Sequence, residues 1–176
     1  NIPVIMTISE HTPVHEMMKC YWVARQRGLR LFGPNSFGVI SPGKCKAGFM
    51  ASRIFKEGNV GVMTRSATNG YESIYMLTCA GIGQSTCVGV GGDMIPGSTF
   101  VDLLPDFEAD PETKVIVMIG EIGGSEEELA AEYIKKHGAS YSQIAFNHVE
   151  LTYYLEETEE GYCYIPVWLL ANIDAQ

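Results

Sequence analysis

The sequence predicts an α/β fold built on a parallel sheet, and three observations carry that prediction. Val60-Gly61-Val62-Met63 is a short apolar run, followed by the small polar turn Thr64 to Gly70 and a helical stretch with apolar Ile74, Met76, Leu77 and Ala80. A second apolar run, Thr86 to Val90, completes a strand–turn–helix–strand unit, whose two strands must lie parallel because a helix joins them. Lys114 to Ile119 (KVIVMI) is the strongest buried-strand signal in the chain. The same alternation opens the sequence, where an apolar run precedes a helical pattern and another short strand.

Taken in order, Ile2 to Ile8 reads as a buried strand and Ser9-Glu10-His11-Thr12-Pro13 as a turn. Thr12 is placed to cap a helix whose first residue is Pro13, and which runs through Val14, Met17, Met18, Tyr21, Val23 and Ala24 to about Arg27. Gly28 ends it, and Leu29 to Phe32 is the next strand. Ser41 to Ile54 mixes Pro, Gly and Lys with apolar residues and reads as a connecting turn and hairpin. A domain boundary is expected at Lys56-Glu57-Gly58. Lys44 and Lys46 could serve an anionic substrate, but an isolated lysine pair reads first as a solvated edge.

The turn Thr64 to Gly70 is the chemical centre of the chain. It lies at the carboxyl end of a parallel strand and the start of a helix, where free N–H groups and the positive end of the dipole suit an anion, above all phosphate. Ser66, Thr68 and Arg65 add donors of the right sign. Ser66 or Thr68 acting only as a helix cap is the simpler alternative. After this unit, Ser98 or Thr99 caps a helix containing Phe100, Val101, Leu103, Leu104 and Phe107, closed by Asp110-Pro111-Glu112. The strand at Lys114 to Ile119 delivers Gly120-Glu121-Ile122-Gly123-Gly124 to the edge where open α/β sheets gather ligands. Glu121 is thus either a functional carboxylate or an ordinary loop residue. Ser125 with Glu128 fits a capping box for a helix to Lys136.

Length and charge narrow the class. A chain of 176 residues can bury a substantial core, and its net charge of −9 disfavours nucleic acid and anionic membrane as partners. The five cysteines are too scattered for a disulfide framework or a paired metal site, which favours reduced intracellular thiols and no metal on this chain. No apolar run has the length of a membrane span, and no signal peptide is recognisable. The first residues already read as a strand, so the chain is expected to start within a domain.

Several blocks together resemble a known family: Arg65-Ser66-Ala67-Thr68 with Tyr71-Glu72, Val88-Gly89-Val90-Gly91-Gly92-Asp93, Gly33-Pro34-Asn35 with Gly38-Val39-Ile40, Pro42-Gly43-Lys44-Cys45-Lys46, Pro96 to Asp102, and Gly120 to Gly124. Their order and spacing are similar to the α subunit of succinyl-CoA synthetase, in the wider group of nucleoside-diphosphate-forming acyl-CoA ligases that includes ATP-citrate lyase. The resemblance covers about residues 5–137. It implies the C-terminal part of a CoA-binding Rossmann domain with a connecting hairpin over 1–57. An incomplete flavodoxin-like domain over 58–137 follows, then a tail over 138–176 unlike the family.

What the resemblance implies for function is specific. Acyl-CoA, phosphate and NDP would interconvert with acid, CoA and NTP through an acyl phosphate and a phosphohistidine. Arg65, Ser66 and Thr68 would hold phosphate, Tyr71 would contact the carboxylate substrate, and Glu121 would orient the catalytic histidine. Ile8, Ser9 and Glu10 would lie on the segment that contacts CoA. Asn35 and Ser36 would line the entrance, with Ser36 where the family often has Cys. A β subunit with an ATP-grasp fold, in an αβ or α2β2 assembly, would carry Mg-NTP. The cytoplasm, or the mitochondrial matrix in a eukaryote, is the expected location.

Two departures qualify the resemblance. Ala67 stands where the family has Gly, which would cost about 1–2 kcal/mol if the backbone there needed positive φ. From about Gly138 the family's Met-Gly-His-Ala-Gly loop is not recognisable; a strand is expected only at Tyr162 to Leu170, and protease is expected to cut this tail first. His148 is nearest to the histidine's place, but its neighbours are Asn147 and Val149. The competing readings are a non-catalytic phosphate- or CoA-binding remnant or regulatory module, and a truncated or frameshifted gene product.

Overall fold

In a computed structural model of the chain, residues 2–137 are described in full, together with the backbone of three later strands over 142–146, 153–158 and 161–166. The chain begins with β1 (Val4–Met6), α1 (Val14–Gln26) and β2 (Arg30–Phe32), and β1 and β2 form a two-stranded parallel sheet. The hairpin β3 (Gly38–Ser41) and β4 (Cys45–Gly48) and a 3-10 turn at Ser52–Ile54 come next. Then follow β5 (Glu57–Thr64), α2 (Ala67–Cys79), β6 (Gln84–Gly89), α3 (Phe100–Ala109), β7 (Val115–Ile119), α4 (Glu126–His137) and β8 (Ser142–Phe146). β9 (Tyr153–Thr158) and β10 (Gly161–Pro166) pair antiparallel.

The main sheet has the order β4-β3-β6-β5-β7-β8, with β6, β5, β7 and β8 parallel and the hairpin antiparallel at one edge. The predicted α/β class and parallel unit are therefore present. The hairpin is more than a connection, because β3 bonds to β6 and β4 makes the edge of this sheet. β8 lies beyond Gly138, where the sequence offers no clear pattern, and extends the sheet beside β7.

The central strands read as unbroken apolar runs because both faces are covered. Val60, Val62, Val117 and Ile119 point to the α2 side, where they meet Ile74, Leu77, Phe37 and Phe55. Met63, Ile116 and Met118 point to the opposite side, against Leu103, Leu104, Phe107 and Ala130 of α3 and α4. Gly61 has no side chain because a Cβ there would lie 2.6 Å from the Phe107 ring.

The first unit differs from its sequence expectation in two respects. β1 is exposed rather than buried, with Val4 48 % and Ile5 38 % accessible. Its only strand partner among the described residues is β2, so period-2 apolar residues alone do not bury it. Thr12 does not cap α1: Pro13 is the N-cap, and the Thr12 amide donates instead to Asp93 Oδ2 at 3.2 Å. α1 packs Met17 and Ala24 on Leu31 and ends before Gly28 at φ +64°.

This unit is fastened to the main sheet by several bonds. The Gly33 amide donates to Val90 O, the Gly97 amide to Gly33 O and the Ser98 hydroxyl to Leu31 O. Arg25 grips Asp102 through both carboxylate oxygens at 2.9 and 2.8 Å, and Arg30 pairs with Asp106. Between Ser98 and Thr99, Thr99 is the residue that caps α3, in a reciprocal capping box with Asp102.

Candidate anion and carboxylate site

The site follows from strand register. Thr64 at the end of β5 lies opposite Gly89 on β6 and Ile119 on β7. Three loops therefore leave the sheet from one row: Arg65–Ser66 into α2, Gly91–Pro96, and Gly120–Ser125. This is the carboxyl edge of the parallel strands, as the sequence predicts.

At the first loop, Ser66 is the N-cap of α2, and its hydroxyl oxygen accepts from the Asn69 amide at 3.3 Å. The amides of Ala67 and Thr68, at the start of the helix, have no intrahelical acceptor. Thr64, fully buried, donates its hydroxyl to Ser66 O at 2.6 Å and fixes the turn from beneath. Thr68 is exposed at the helix start. Ala67 is the first helical residue and is not among the positive-φ positions, so the penalty considered for it does not arise. Gly70 is needed for close approach: a Cβ there would sit 2.6 Å from Thr64 Cγ2 and 3.2 Å from Phe37 Cε1.

Arg65 is 9 % exposed. Its amide donates to Ile119 O at 2.9 Å and its Nη1 to Gly123 O at 3.0 Å. Its Nε is buried without a hydrogen-bond partner, as is Oε2 of Glu126. Burial raises the Glu126 carboxyl above its ordinary value, while the charge of Arg65 opposes that shift.

Glu121 is exposed at the head of the third loop, and its amide donates to Glu127 Oε1 at 3.1 Å. The second loop meets it at Gly92, where a Cβ would lie 2.8 Å from Glu121 Oε2, 3.5 Å from Asn35 Nδ2 and 3.7 Å from the Arg65 carbonyl oxygen. Asn35, at φ +57°, carries the connection onward: its amide donates to Ser9 O at 2.9 Å and its carbonyl accepts from the Gly92 amide at 3.3 Å. Ile8, Ser9 and Glu10 are exposed. Backbone bonds therefore join the Ser9 segment to Gly92, beside the Glu121 carboxylate.

Other expected residues sit further from this convergence. Tyr71 is half-buried between Phe37 and Phe55, with ring centroids at 5.3 and 6.4 Å. Burial raises its phenol above the ordinary value, partly offset by a backbone hydrogen bond from Ala51. Ser36 does not line an entrance: it is 2 % exposed, donating to Gly89 O at 2.6 Å and accepting from the Gly38 amide at 3.0 Å. That closed pair of bonds makes it a brace between β3 and β6. His148 lies outside the described residues. The braces at Gly92, Asn35 and Glu127 are absent from the sequence reading, since each depends on contacts between distant segments.

Comparison with known proteins shows what the chain is similar to. Residues 63–151 match the model of the CoA-ligase family, running past the end of the sequence resemblance at about residue 137. The chain is 53 % identical over 135 residues to the succinate–CoA ligase [ADP-forming] subunit alpha 2 of Archaeoglobus fulgidus, covering 77 % of this chain and 47 % of that protein. It is 50 % identical over 137 residues to the corresponding alpha subunit of Aquifex aeolicus, covering 77 % and 45 %. The chain thus spans just under half the length of these relatives. Among solved structures, ATP citrate lyase from Methanothrix soehngenii shares the fold, with TM-score 0.74 and 24 % identity over 82 % of this chain and 25 % of that one. With half of its length matched to the family model and about half of its aligned residues identical to those relatives, the chain belongs to the CoA-ligase family.

Proposed function

We propose that the chain is the α-subunit-like part of a succinate–CoA ligase, in which acyl-CoA, phosphate and NDP interconvert with acid, CoA and NTP. The observation that carries this reading is the single row Gly89–Thr64–Ile119, from which a helix N-terminus and a carboxylate loop emerge side by side. Phosphate sits at the start of α2, on the amides of Ala67 and Thr68 and the hydroxyls of Ser66 and Thr68. Glu121 would hold and orient a phosphoryl-carrying imidazole, whose Met-Gly-His-Ala-Gly loop is not recognisable in this sequence. Tyr71 contacts the carboxylate substrate. Ile8, Ser9 and Glu10 contact CoA in the Rossmann-like part that holds β1, α1 and β2, and the Ser9–Asn35–Gly92 bonds tie that part to the loop beside Glu121.

The remaining parts of the reaction belong to a partner. A β subunit with an ATP-grasp domain, in an αβ or α2β2 assembly, binds Mg-NTP, and the enzyme works in the cytoplasm or the mitochondrial matrix. Inorganic phosphate titrated into the chain should shift the NMR signals of Ser66 to Asn69 in the millimolar range, and Ser66→Ala should weaken binding about tenfold, the worth of one hydrogen bond to a charged group. No shift there up to tens of millimolar overturns the reading.

A further inference from the structure

We propose that Arg65 is a positioning residue that fixes Glu121 beside the anion turn, rather than a ligand of the anion. It holds both ends of the loop that carries Glu121. Its amide bonds to Ile119 O, the last strand residue before the loop, and its Nη1 bonds to Gly123 O, two residues after Glu121. Between these two points a further tie is the Glu121 amide on Glu127 Oε1, at 3.1 Å. Residues 121–125 are exposed, and Gly123 and Gly124 adopt φ +104° and +96°. A loop with such freedom stays in one place only when its carbonyls and amides are tied.

The surroundings keep the guanidinium on the loop. A Cβ at Gly124 would come within 3.3 Å of Nη1, so the absence of a side chain there leaves room for the group. Glu126 Oε2, buried and without a hydrogen-bond partner, places a carboxylate on the loop side, and Arg65 Nε is likewise unmatched. Arg65 adjoins Ser66, the cap of α2. Arg65 therefore links the helix N-terminus directly to the loop that carries the carboxylate. The identity of the anion rests on the phosphate reading; the strap itself does not.

The test compares the wild-type chain with Arg65→Gln and Arg65→Lys by NMR. Without phosphate, Arg65→Gln should move or broaden the amide signals of Gly120 to Gly124 while those of β5 and β7 stay in place. Arg65→Lys, able to keep one bond to Gly123 O, should restore part of the wild-type pattern. With phosphate, Arg65→Gln should still bind within about threefold of wild type. The response of the Glu121 carboxyl carbon to bound phosphate should fall at least fivefold. A loop unchanged in Arg65→Gln, or a tenfold loss of phosphate binding with the Glu121 response per bound phosphate intact, overturns the proposal. If wild type binds no phosphate, the functional reading fails while the loop comparison still decides the strap. Should Arg65→Gln not fold, Arg65→Lys supplies the same two readouts: intermediate loop signals support the strap, and wild-type ones refute it.

Discussion

Asp102 joins two parts of the molecule through one carboxylate, so its removal has a calculable cost. Oδ2 accepts from the Thr99 amide and hydroxyl, both at 2.9 Å, while Arg25 bonds both oxygens. Losing a helix N-terminal box costs about 0.5–2 kcal/mol. The ion pair adds at most about 1 kcal/mol, since the Arg25 side chain is 44 % exposed and solvent screens it. Asp102→Ala should therefore lose about 2 kcal/mol in urea unfolding, a midpoint shift of about 1 M at typical slopes. Asp102→Asn keeps an acceptor for the Thr99 amide and should lose about 1 kcal/mol or less. Burial alone would raise the Asp102 carboxyl, but the Thr99 amide, Arg25 and the Thr99 hydroxyl outweigh it and hold the group below the ordinary carboxylate range. A depressed folded value stabilises only the ionised form. The advantage of wild type over Asp102→Asn should be complete above about pH 4 and vanish as pH falls through the folded value. An Asp102→Ala cost below about 0.5 kcal/mol, or equal costs for the two variants, would refute this account.

Two further outcomes test the interior and the chemistry. Gly70→Ala should destabilise by about 1 kcal/mol, because crowding of about 1–3 kcal/mol against buried Thr64 and Phe37 exceeds the helix-propensity gain of about 1 kcal/mol; calorimetry showing a higher Tm would contradict the packing argument. Incubated with a β subunit and γ-labelled ATP or GTP, the chain should carry no acid-labile phosphate, since Asn147 and Val149 flank the only histidine near the family's position; stoichiometric labelling lost in His148→Ala would make His148 the acceptor.

Much of the fold was legible because its signals are local. The helix from Ala67 is announced by Ser66 three residues before the amide it caps, and β7 by five consecutive apolar residues with sheet on both sides. The exposure of β1 was not legible, since apolar alternation does not say what covers a strand. Nor was the place of the β3–β4 hairpin, which depends on Val39 and Ile40 meeting Val88 and Cys87. In the site, the residue types Ser66 and Glu121 could be picked from sequence. Their adjacency needs Thr64, Gly89 and Ile119 to share one level of the sheet, a long-range condition with no local signature. Arg65 illustrates the difference best: a guanidinium beside a phosphate-type turn reads as an anion ligand, yet its side-chain hydrogen bond runs to Gly123 O on another loop.

Ala67 shows why a departure from a family pattern has to be weighed by geometry. Glycine at that position suggests either positive φ or a need for the anion to approach the backbone. The first reason fails, because residue 67 begins α2 with ordinary helical backbone. The second depends on where the methyl group goes. It packs against the cluster of Phe37, Val62 and Ile74, on the core side of the helix. A methyl half-buried there leaves the amides of Ala67 and Thr68 open to an anion, and it adds apolar contact worth up to about 0.8 kcal/mol. Close approach is instead required at Gly70, one turn later, where the helix presses on Thr64. The alanine is therefore compatible with an intact anion turn, and an alanine-to-glycine reversion at 67 should leave phosphate affinity within about twofold while lowering stability by about 1 kcal/mol through helix propensity.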